Sequence, residues 1–156
     1  MMSESVASLL MQKKSPSVVS IAPTATVATA VQTMIDRKVG SIVVLDQLAL
    51  VGILTERDVL VRVVGGAHDP RTTRVSEVMT SDVHCAWPGT TIYEALRLMS
   101  ERRQRHLPVM ENGLVCGVVS IGDVTHWVIQ SQRDDFDLAI GTFKEMGYSN
   151  RRGSGQ

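Results

Sequence analysis

The sequence predicts a mixed α+β fold made of two copies of one unit, in which a strand, a helix, a β-hairpin and a second helix follow one another. The main observation is an internal repeat, because residues 22–64 align with residues 87–129 without a gap. About three identical pairs are expected by chance at average composition. The sequence contains ten identical pairs: Pro23/Pro88, Thr26/Thr91, Ala30/Ala95, Met34/Met99, Arg37/Arg102, Val44/Val109, Gly52/Gly117, Asp58/Asp123, Val59/Val124 and Val63/Val128. A unit of this size cannot bury its own apolar face, so we expect the two copies to pack on each other.

Two local patterns support the same unit in each copy. Apolar residues recur at helical spacing over Val27–Ile35, after the N-cap candidate Thr26, and again over Ile92–Met99. In each copy two β-branched or aliphatic runs follow, separated by Asp46-Gln47 in the first copy and by Glu111–Gly113 in the second. Such runs with a short polar turn between them predict a hairpin.

The chain up to residue 74 is predicted to consist of an N-terminal helix with a connector, the first copy and a linker. Val6, Leu9 and Leu10 lie at helical spacing after serine caps, so residues 1–17 are predicted to be a helix and a connector. The first copy covers 18–66, and residues 67–74 are polar and form a linker. The predicted elements of this copy are a strand at Val18–Ile21, a helix ending near Lys38, strands at Ser41–Leu45 and Leu50–Leu54, and a helix over Glu56–Val64 that stops at Gly65-Gly66.

The second copy covers 75–131 and repeats this order. A separate C-terminal helix is predicted for 132–148, and the last residues, 149–156, are expected to be a disordered tail. The predicted elements of the second copy are a helical turn at 75–79, a strand at Val83–Ala86, a helix over Ile92–Arg102, strands at His106–Met110 and Leu114–Val119, and a helix over Asp123–Ser131.

Composition and charge restrict the class of protein. The chain has 156 residues with 16 basic and 16 acidic side chains, so its formal net charge is zero. A nucleic-acid-binding domain usually carries a basic footprint, so we expect no nucleic-acid partner. No apolar run reaches the ~18 residues of a membrane span, and there is no signal-peptide pattern, so we expect no membrane association. The cysteines, Cys85 and Cys116, form no metal-binding pattern, and a cytoplasmic location fits them.

Each copy ends its last predicted strand on a hydroxyl residue and carries an aspartate one helical turn later. The pairs are Thr55 with Asp58 and Ser120 with Asp123. A hydroxyl at a helix start, beside free backbone N–H groups, suits a phosphate oxygen, and the carboxylate can accept hydrogen bonds from two vicinal ribose hydroxyls. A single motif of this kind is also an ordinary helix cap. Because it recurs at equivalent positions of a repeat, we favour a nucleotide-binding role.

These features together resemble a tandem pair of CBS domains, the Bateman module. The resemblance rests on the element order, on the hydrophobic-Gly-hydrophobic-hydrophobic-T/S-x-x-D endings and on the Arg105–Val109 segment, and it covers about residues 18–130. It implies two β-α-β-β-α repeats packed sheet to sheet with pseudo-twofold symmetry. It also implies adenosine-containing ligands in two clefts between the repeats, and a homodimer of two such pairs.

The resemblance assigns candidate residues to each cleft. We name the first one the Asp123 cleft, and its expected residues are Ser120, Asp123, Val39, Gly40, Arg105, His106 and Val118. In this cleft Arg105 and His106 would face phosphate, and Val118 would touch adenine.

The second cleft, which we name the Asp58 cleft, has fewer basic groups in its own hairpin. Its expected residues are Thr55, Asp58, Ile53 against the base, and Thr90 near the mouth. Ser41 stands where the other copy has His106, which leaves Arg57 and Lys38 as the basic candidates. We therefore expect the Asp123 cleft to hold phosphate more firmly.

The predicted function is that of a cytoplasmic sensor without catalysis. AMP is the first candidate ligand, and ATP, ADP, NAD and S-adenosylmethionine stay open. The output would pass through an effector protein or a rearrangement of the dimer, since only differential binding to two conformations can couple them. An interaction or assembly module with vestigial clefts is one alternative. A nucleotide hydrolase is another, but it would need a base or metal cluster, and we predict no catalytic residues and no metal site.

Overall fold

The computed structural model describes residues 4–13 and 18–145, which form a mixed α+β fold with two repeats, as the sequence predicts. Each repeat is built around one antiparallel hairpin. The elements in chain order are α1 (Val6–Gln12), β1 (Ser20–Ile21), α2 (Val27–Arg37), β2 (Ser41–Asp46), β3 (Ala49–Thr55), α3 (Glu56–Asp58, continued as a π-helix over Val59–Val64), α4 (Val75–Val78), α5 (Ile92–Arg102), β4 (His106–Glu111), β5 (Leu114–Ser120) and α6 (Ile121–Glu145).

The helices α2 and α5 begin and end in the same way at equivalent positions. The hydroxyls of Thr26 and Thr91 accept the first free backbone N–H groups, and Glu94 completes a capping box at α5. Both helices stop on a basic residue with a left-handed backbone, Lys38 with φ 55° and Arg103 with φ 51°. These local signals are why the predicted bounds of α5 are confirmed residue for residue.

The two hairpins have the same register. Ser41 pairs with Thr55 in the first, and His106 pairs with Ser120 in the second. The register shifts after Val44 in β2 and at the equivalent point of β4. Each hydroxyl of the repeated motif therefore ends a strand beside the first residue of its partner strand, which places both motifs at matching edges of the two sheets.

The predicted strand at Val83–Ala86 is wrong, because only Ala86 forms a bridge, to Val109. In the first repeat β1 pairs in parallel with β2, and the N–H of Val43 donates to Val19. Pro108 occupies the equivalent position in β4 and has no N–H to donate. The parallel ladder therefore cannot extend in the second repeat.

The predicted break between a helix over Asp123–Ser131 and a C-terminal helix over 132–148 is also wrong, because α6 runs without interruption to Glu145. The helix of the first repeat is followed by Gly65-Gly66, but the second repeat has Gln130-Ser131 at those positions, so no helix breaker is present. The predicted connector at 14–17 and the predicted tail at 149–156 lie outside the described residues.

The short helices α1 and α4 do not pack against the repeat that comes directly after them in sequence. Val6 and Leu9 of α1 are buried in the core of the second repeat, which also contains Leu107, Val109, Val119 and Val124. Val75 and Val78 of α4 are buried in the core of the first repeat. The helical turn predicted to enter the second copy therefore completes the core of the first, and α1 completes the second.

Backbone hydrogen bonds hold α1 on the second repeat and α4 on the first. The N–H of Val6 donates to Thr90 at 2.8 Å, and the N–H of Val75 donates to Ala25 at 2.8 Å. The acceptors stand at equivalent positions, directly before the N-cap residues of α5 and α2. The result is that the C-terminal end of α1 comes to lie beside β5 and the start of α6.

Candidate functional site

A cavity of about 400 Å³ lies between the two repeats and contains most of the residues expected in the Asp123 cleft. Small-molecule sites in proteins commonly have volumes of about 300–1,000 Å³. Seven of the predicted site residues line it: Val39, Gly40 and Ser41 from the first repeat, and His106, Val118, Ser120 and Asp123 from the second. Parts of the chain far apart in sequence thus meet in one hollow.

Asp123 is held at the cavity wall by its own helix start and by α1. Its N–H donates to Ser120 Oγ at 3.1 Å, and its Oδ2 accepts the N–H of Ser120 at 2.8 Å. The same Oδ2 accepts a hydrogen bond from Lys13 Nζ at 2.7 Å, and Lys13 also donates to the carbonyl of Val118 at 2.8 Å. The motif is a helix cap and a carboxylate in the cleft at the same time.

Two opposing effects act on the carboxyl group of Asp123. Burial by itself would raise its pKa, but the hydrogen bond and charge of Lys13, together with the N–H of Ser120, outweigh it and hold the pKa below the ordinary 3.8. Asp123 is therefore an anion at neutral pH, which is the state that accepts hydrogen bonds from hydroxyl groups.

The cavity wall carries more positive than negative charge. Lys13, Arg37 and Lys38 line it as cations, and Asp123 is the one acidic side chain among its lining residues. Burial and the nearby Arg105 guanidinium lower the pKa of His106 below its ordinary 6.5, so this imidazole is neutral at pH 7. The excess of positive charge suits an anionic ligand.

The rest of the cavity is apolar. Aliphatic side chains from four separate segments line it, and they are Leu10, Val18, Val19, Val39 and Val118. A flat aromatic base fits between such side chains, while a sugar and an anionic group need the polar end. The cavity therefore combines an apolar part, a carboxylate and a set of cations.

The Asp58 carboxylate is engaged more completely within the protein. Its Oδ2 accepts the N–H of Thr55 at 3.0 Å and the hydroxyl of Thr55 at 3.1 Å. Its Oδ1 accepts the hydroxyl of Thr80 at 3.2 Å and lies 3.9 Å from Arg62 Nε. The backbone of Ile53, expected against a base, pairs in both directions with Thr80 at 2.9 Å. The Asp58 side chain is 12% exposed, against 24% for Asp123.

Comparison with known proteins adds the decisive observation. The family model of the CBS domain matches the chain twice, at residues 6–65 and 75–130. The chain belongs to the CBS domain family. CBS pairs are regulatory modules that commonly bind adenine nucleotides.

Solved CBS proteins share the fold of the whole pair. A protein with CBS domains from Burkholderia ambifaria is 35% identical, with a TM-score of 0.79, over 82% of this chain and 96% of that chain. A hexameric CBS-CP12 protein from bloom-forming cyanobacteria is 26% identical, with a TM-score of 0.71, over 97% of this chain and 88% of that chain.

Curated CBS relatives are longer than the matched region. The CBS domain-containing protein CBSX3, mitochondrial, of Arabidopsis thaliana is 34% identical over 128 residues, which are 79% of this chain and 62% of the relative. Another Arabidopsis thaliana relative, CBSCBSPB3, is 36% identical over 110 residues and is matched over 20% of its length. The chain thus spans less than two thirds of these two relatives.

Six of the predicted site residues do not line this cavity: Arg105, expected in the Asp123 cleft, and Ile53, Thr55, Arg57, Asp58 and Thr90, expected in the Asp58 cleft. Arg105 is exposed, and its carbonyl accepts the N–H of Ile121. Arg57 is exposed on the first turn of α3. The hydroxyl of Thr90 accepts the N–H of Trp87 at 2.9 Å, so it closes a turn and supports α1.

The sequence reasoning missed the contribution of α1 and misplaced that of α2. Leu10 and Lys13 reach the cavity because α1 packs on the second repeat, and no local pattern announces that packing. Lys38 was expected at the Asp58 cleft and Arg37 at neither cleft, but both come directly before Val39, and this position could have placed them in the Asp123 cleft.

Two further observations concern the described residues as a whole. Within the ranges 4–13 and 18–145, no three His, Cys, Asp or Glu side chains come together as a possible metal site. None of the helices described combines the length and the hydropathy that crossing a bilayer requires.

Proposed function

We propose that this CBS pair is a sensor that binds an adenosine phosphate, AMP before the other candidates, in the Asp123 cleft. The observation that carries the proposal is the meeting of the Asp123 carboxylate, an aliphatic wall and the cations Lys13, Arg37 and Lys38 in one cavity. The carboxylate would accept the vicinal ribose hydroxyls, the aliphatic side chains would cover the base, and the cations would face the phosphate.

Charge favours a phosphorylated ligand over S-adenosylmethionine. The sulfonium of S-adenosylmethionine is positive and would approach a wall that already carries an excess of cations. The phosphates of AMP, ADP, ATP and NAD are negative and complement that wall. The proposal therefore ranks these four ligands ahead of S-adenosylmethionine, and a single phosphate is the smallest group that the cations can hold.

Thermal unfolding with a ligand panel tests this function. A ligand at 100 times its dissociation constant should stabilise the folded state by about 2.7 kcal/mol. We expect stabilisation by AMP and a weaker effect of S-adenosylmethionine at equal concentration, with titration calorimetry to give the affinities. No stabilisation by any adenine ligand would contradict the proposal and favour an assembly module with vestigial clefts.

We further propose that the protein acts as a homodimer through the outer face of α3. The π-helical part of α3 exposes three large aliphatic side chains within five residues, those of Leu60, Val61 and Val64. Exposed apolar surface of this kind is typical of an association site. Sedimentation of the protein and of a Leu60→Glu variant tests this: the variant should be monomeric, and an unchanged mass would place the interface elsewhere.

The proposed role is regulatory rather than catalytic, in a cytoplasmic setting. The output would pass through a change in the dimer or through an effector protein that distinguishes the free and bound forms. Incubation of the purified protein with AMP, ADP or ATP and quantification of the products should show no turnover. Turnover that follows the protein through purification would contradict this part of the proposal.

A further inference from the structure

Lys13 occupies the carboxylate on which the proposed ligand depends. Its Nζ lies 2.7 Å from Asp123 Oδ2 and 2.8 Å from the carbonyl oxygen of Val118. Asp123 Oδ2 thus already accepts two hydrogen bonds, from Lys13 and from the N–H of Ser120. A pair of vicinal hydroxyls that binds both oxygens of this carboxylate must compete with the ammonium group.

The competing group is the end of a long side chain at the end of a short helix. Lys13 is the C-cap residue of α1, and its side chain is 32% exposed. A partly exposed ion pair contributes little net free energy, because water competes for both charges. The ammonium can therefore leave the carboxylate at low cost and find water or a phosphate group.

The ion pair also belongs to two cavities. Lys13 and Asp123 line both the Asp123 cleft and a second cavity of about 490 Å³ between α1 and α6. The second cavity is completed by Leu9, Gln12, Gly122, His126, Trp127 and Gln130. Whatever moves Lys13 from Asp123 therefore changes the contact between the last turn of α1 and the first turns of α6.

The other end of α1 is fastened independently. The carboxylate of Glu4 accepts hydrogen bonds from the indole N–H of Trp127 and from the hydroxyl of Ser131. Val6 and Leu9 are buried in the core of the second repeat. Loss of the Lys13 contact therefore frees the end of α1 beyond Leu10, while the part that contains Val6 and Leu9 stays in place.

We propose that Lys13 is a latch that the ligand displaces: in the free protein it closes the Asp123 carboxylate, and the ribose hydroxyls of the bound ligand release it together with the end of α1 beyond Leu10. This inference rests on the proposed adenosine-phosphate function and adds its regulation. It makes α1, which comes before both repeats in sequence, the element that reports occupancy of the cleft.

Adenosine is the probe that isolates the latch, because it has the hydroxyls but no phosphate for Lys13 to attract. Lys13→Met removes the ammonium and keeps an aliphatic side chain, and it should tighten adenosine binding about threefold to fivefold in titration calorimetry. Lys13→Gln should act in the same direction. Arg97→Met is the matched control, because it also removes one positive charge and one ion pair, with Glu101 at 3.7 Å on the surface of α5. This control variant should leave the affinity for adenosine unchanged.

Trp127 gives a second measurement. In a Trp87→Phe background it is the one remaining tryptophan of the sequence, and it lines the cavity between α1 and α6. Saturation with AMP should change the fluorescence emission of Trp127. The Lys13→Met protein should show much of the same change in emission without ligand.

The outcomes separate the latch from the function on which it rests. Unchanged or weaker adenosine binding by Lys13→Met, with AMP still bound by the parent protein, overturns the latch alone. An emission of Trp127 that AMP leaves unchanged overturns it as well. Failure of the parent protein to bind either AMP or adenosine overturns the proposed function, and the latch with it.

Discussion

The two repeats contain the same aspartate at the same place, but different groups cover it. Asp58 accepts the hydroxyl of Thr80, whose backbone is also paired with β3. Asp123 accepts the ammonium of Lys13, which reaches it through a flexible side chain. Backbone pairing closes the first site, and a partly exposed side chain closes the second. Equal motifs therefore do not make equal sites, because the covering segment comes from outside the motif.

The difference begins where α1 and α4 end. Leu10 of α1 packs on Gly117, as Met79 after α4 packs on Gly52. From that equivalent point α1 continues as a helix to Gln12, whereas the chain after Met79 becomes extended and forms a bridge to β3. The longer helix leaves Val118 without such a bridge partner from α1 and brings Lys13 to its carbonyl instead.

The largest expected effect tests which aspartate serves the ligand. Asp123→Asn removes the charge that accepts the ribose hydroxyls, and it should weaken AMP binding about 10-fold to 100-fold, as expected for loss of hydrogen bonds to a charged group. Asp58→Asn should change the affinity by less than about threefold, because its carboxylate is already engaged by Thr55 and Thr80. Titration calorimetry gives both values. Equal losses in the two variants would mean that the two clefts bind alike.

The two glycines offer the next test of the difference. A Cβ on Gly52 would lie 3.0 Å from the backbone carbonyl oxygen of Thr80, which is fixed by its bridge. A Cβ on Gly117 would lie 2.8 Å from the side chain of Leu10, which can move. Gly52→Ala should therefore lower the free energy of unfolding by about 1–3 kcal/mol, and Gly117→Ala by less. Urea unfolding measures both, and a larger loss for Gly117→Ala would contradict the assignment of the more rigid contact.

A smaller effect is expected from the helix that continues beyond the second repeat. Gln130→Gly restores the glycine that the first repeat has at Gly65, and it should destabilise the protein by about 1 kcal/mol relative to Gln130→Ala. Thermal unfolding of the two variants gives the difference, and far-ultraviolet circular dichroism shows whether α6 is shortened. Equal stabilities would mean that packing, rather than the absence of glycine, sets the length of α6.

The smallest effect concerns pH, because His106 titrates and its counterpart Ser41 does not. Burial and Arg105 lower the pKa of His106 in the folded protein below 6.5, so the unfolded chain takes up its proton first. This contribution to stability is complete above pH 6.5 and is lost as the pH falls below that value. His106→Ser makes the second hairpin like the first and should reduce the loss of stability between pH 7 and pH 5 in urea unfolding. If the variant loses as much stability as the parent protein over this pH range, groups other than His106 cause the loss.

Much of the fold could be predicted because the signals are local. The cap at Thr26 and the two hairpin turns depend on residues a few positions apart, and the structure has them where the sequence predicts them. Thr91 caps α5 at the equivalent position of the second repeat. The two wrong elements also had readable causes. Pro108 has no N–H for a parallel partner, and Gln130-Ser131 lacks the helix breaker of the first repeat.

The candidate site was predictable only in part. The repeated motif supplied Ser120 and Asp123, and the resemblance to CBS pairs supplied Val39, Gly40, His106 and Val118, all of which line the cavity. The resemblance also supplied Arg105, which does not line it, and it assigned Arg57 and Thr90 to the Asp58 cleft. A family pattern gives positions along the chain, whereas the direction of an exposed side chain depends on its neighbours in this particular protein.

The sequence by itself determined the duplicated unit, the starts of its helices, the hairpin register and the positions of the two aspartates, since each follows from hydrogen bonds and apolar spacing within a short segment. Only the tertiary structure decided that α1 packs on the second repeat and brings Lys13 to Asp123, two residues 110 positions apart. Both repeats offer α1 a similar apolar face, so its periodicity cannot choose between them. In the folded protein α4 occupies the equivalent place on the first repeat, where Ala25 accepts the N–H of Val75, and α1 occupies the place on the second, where Thr90 accepts the N–H of Val6.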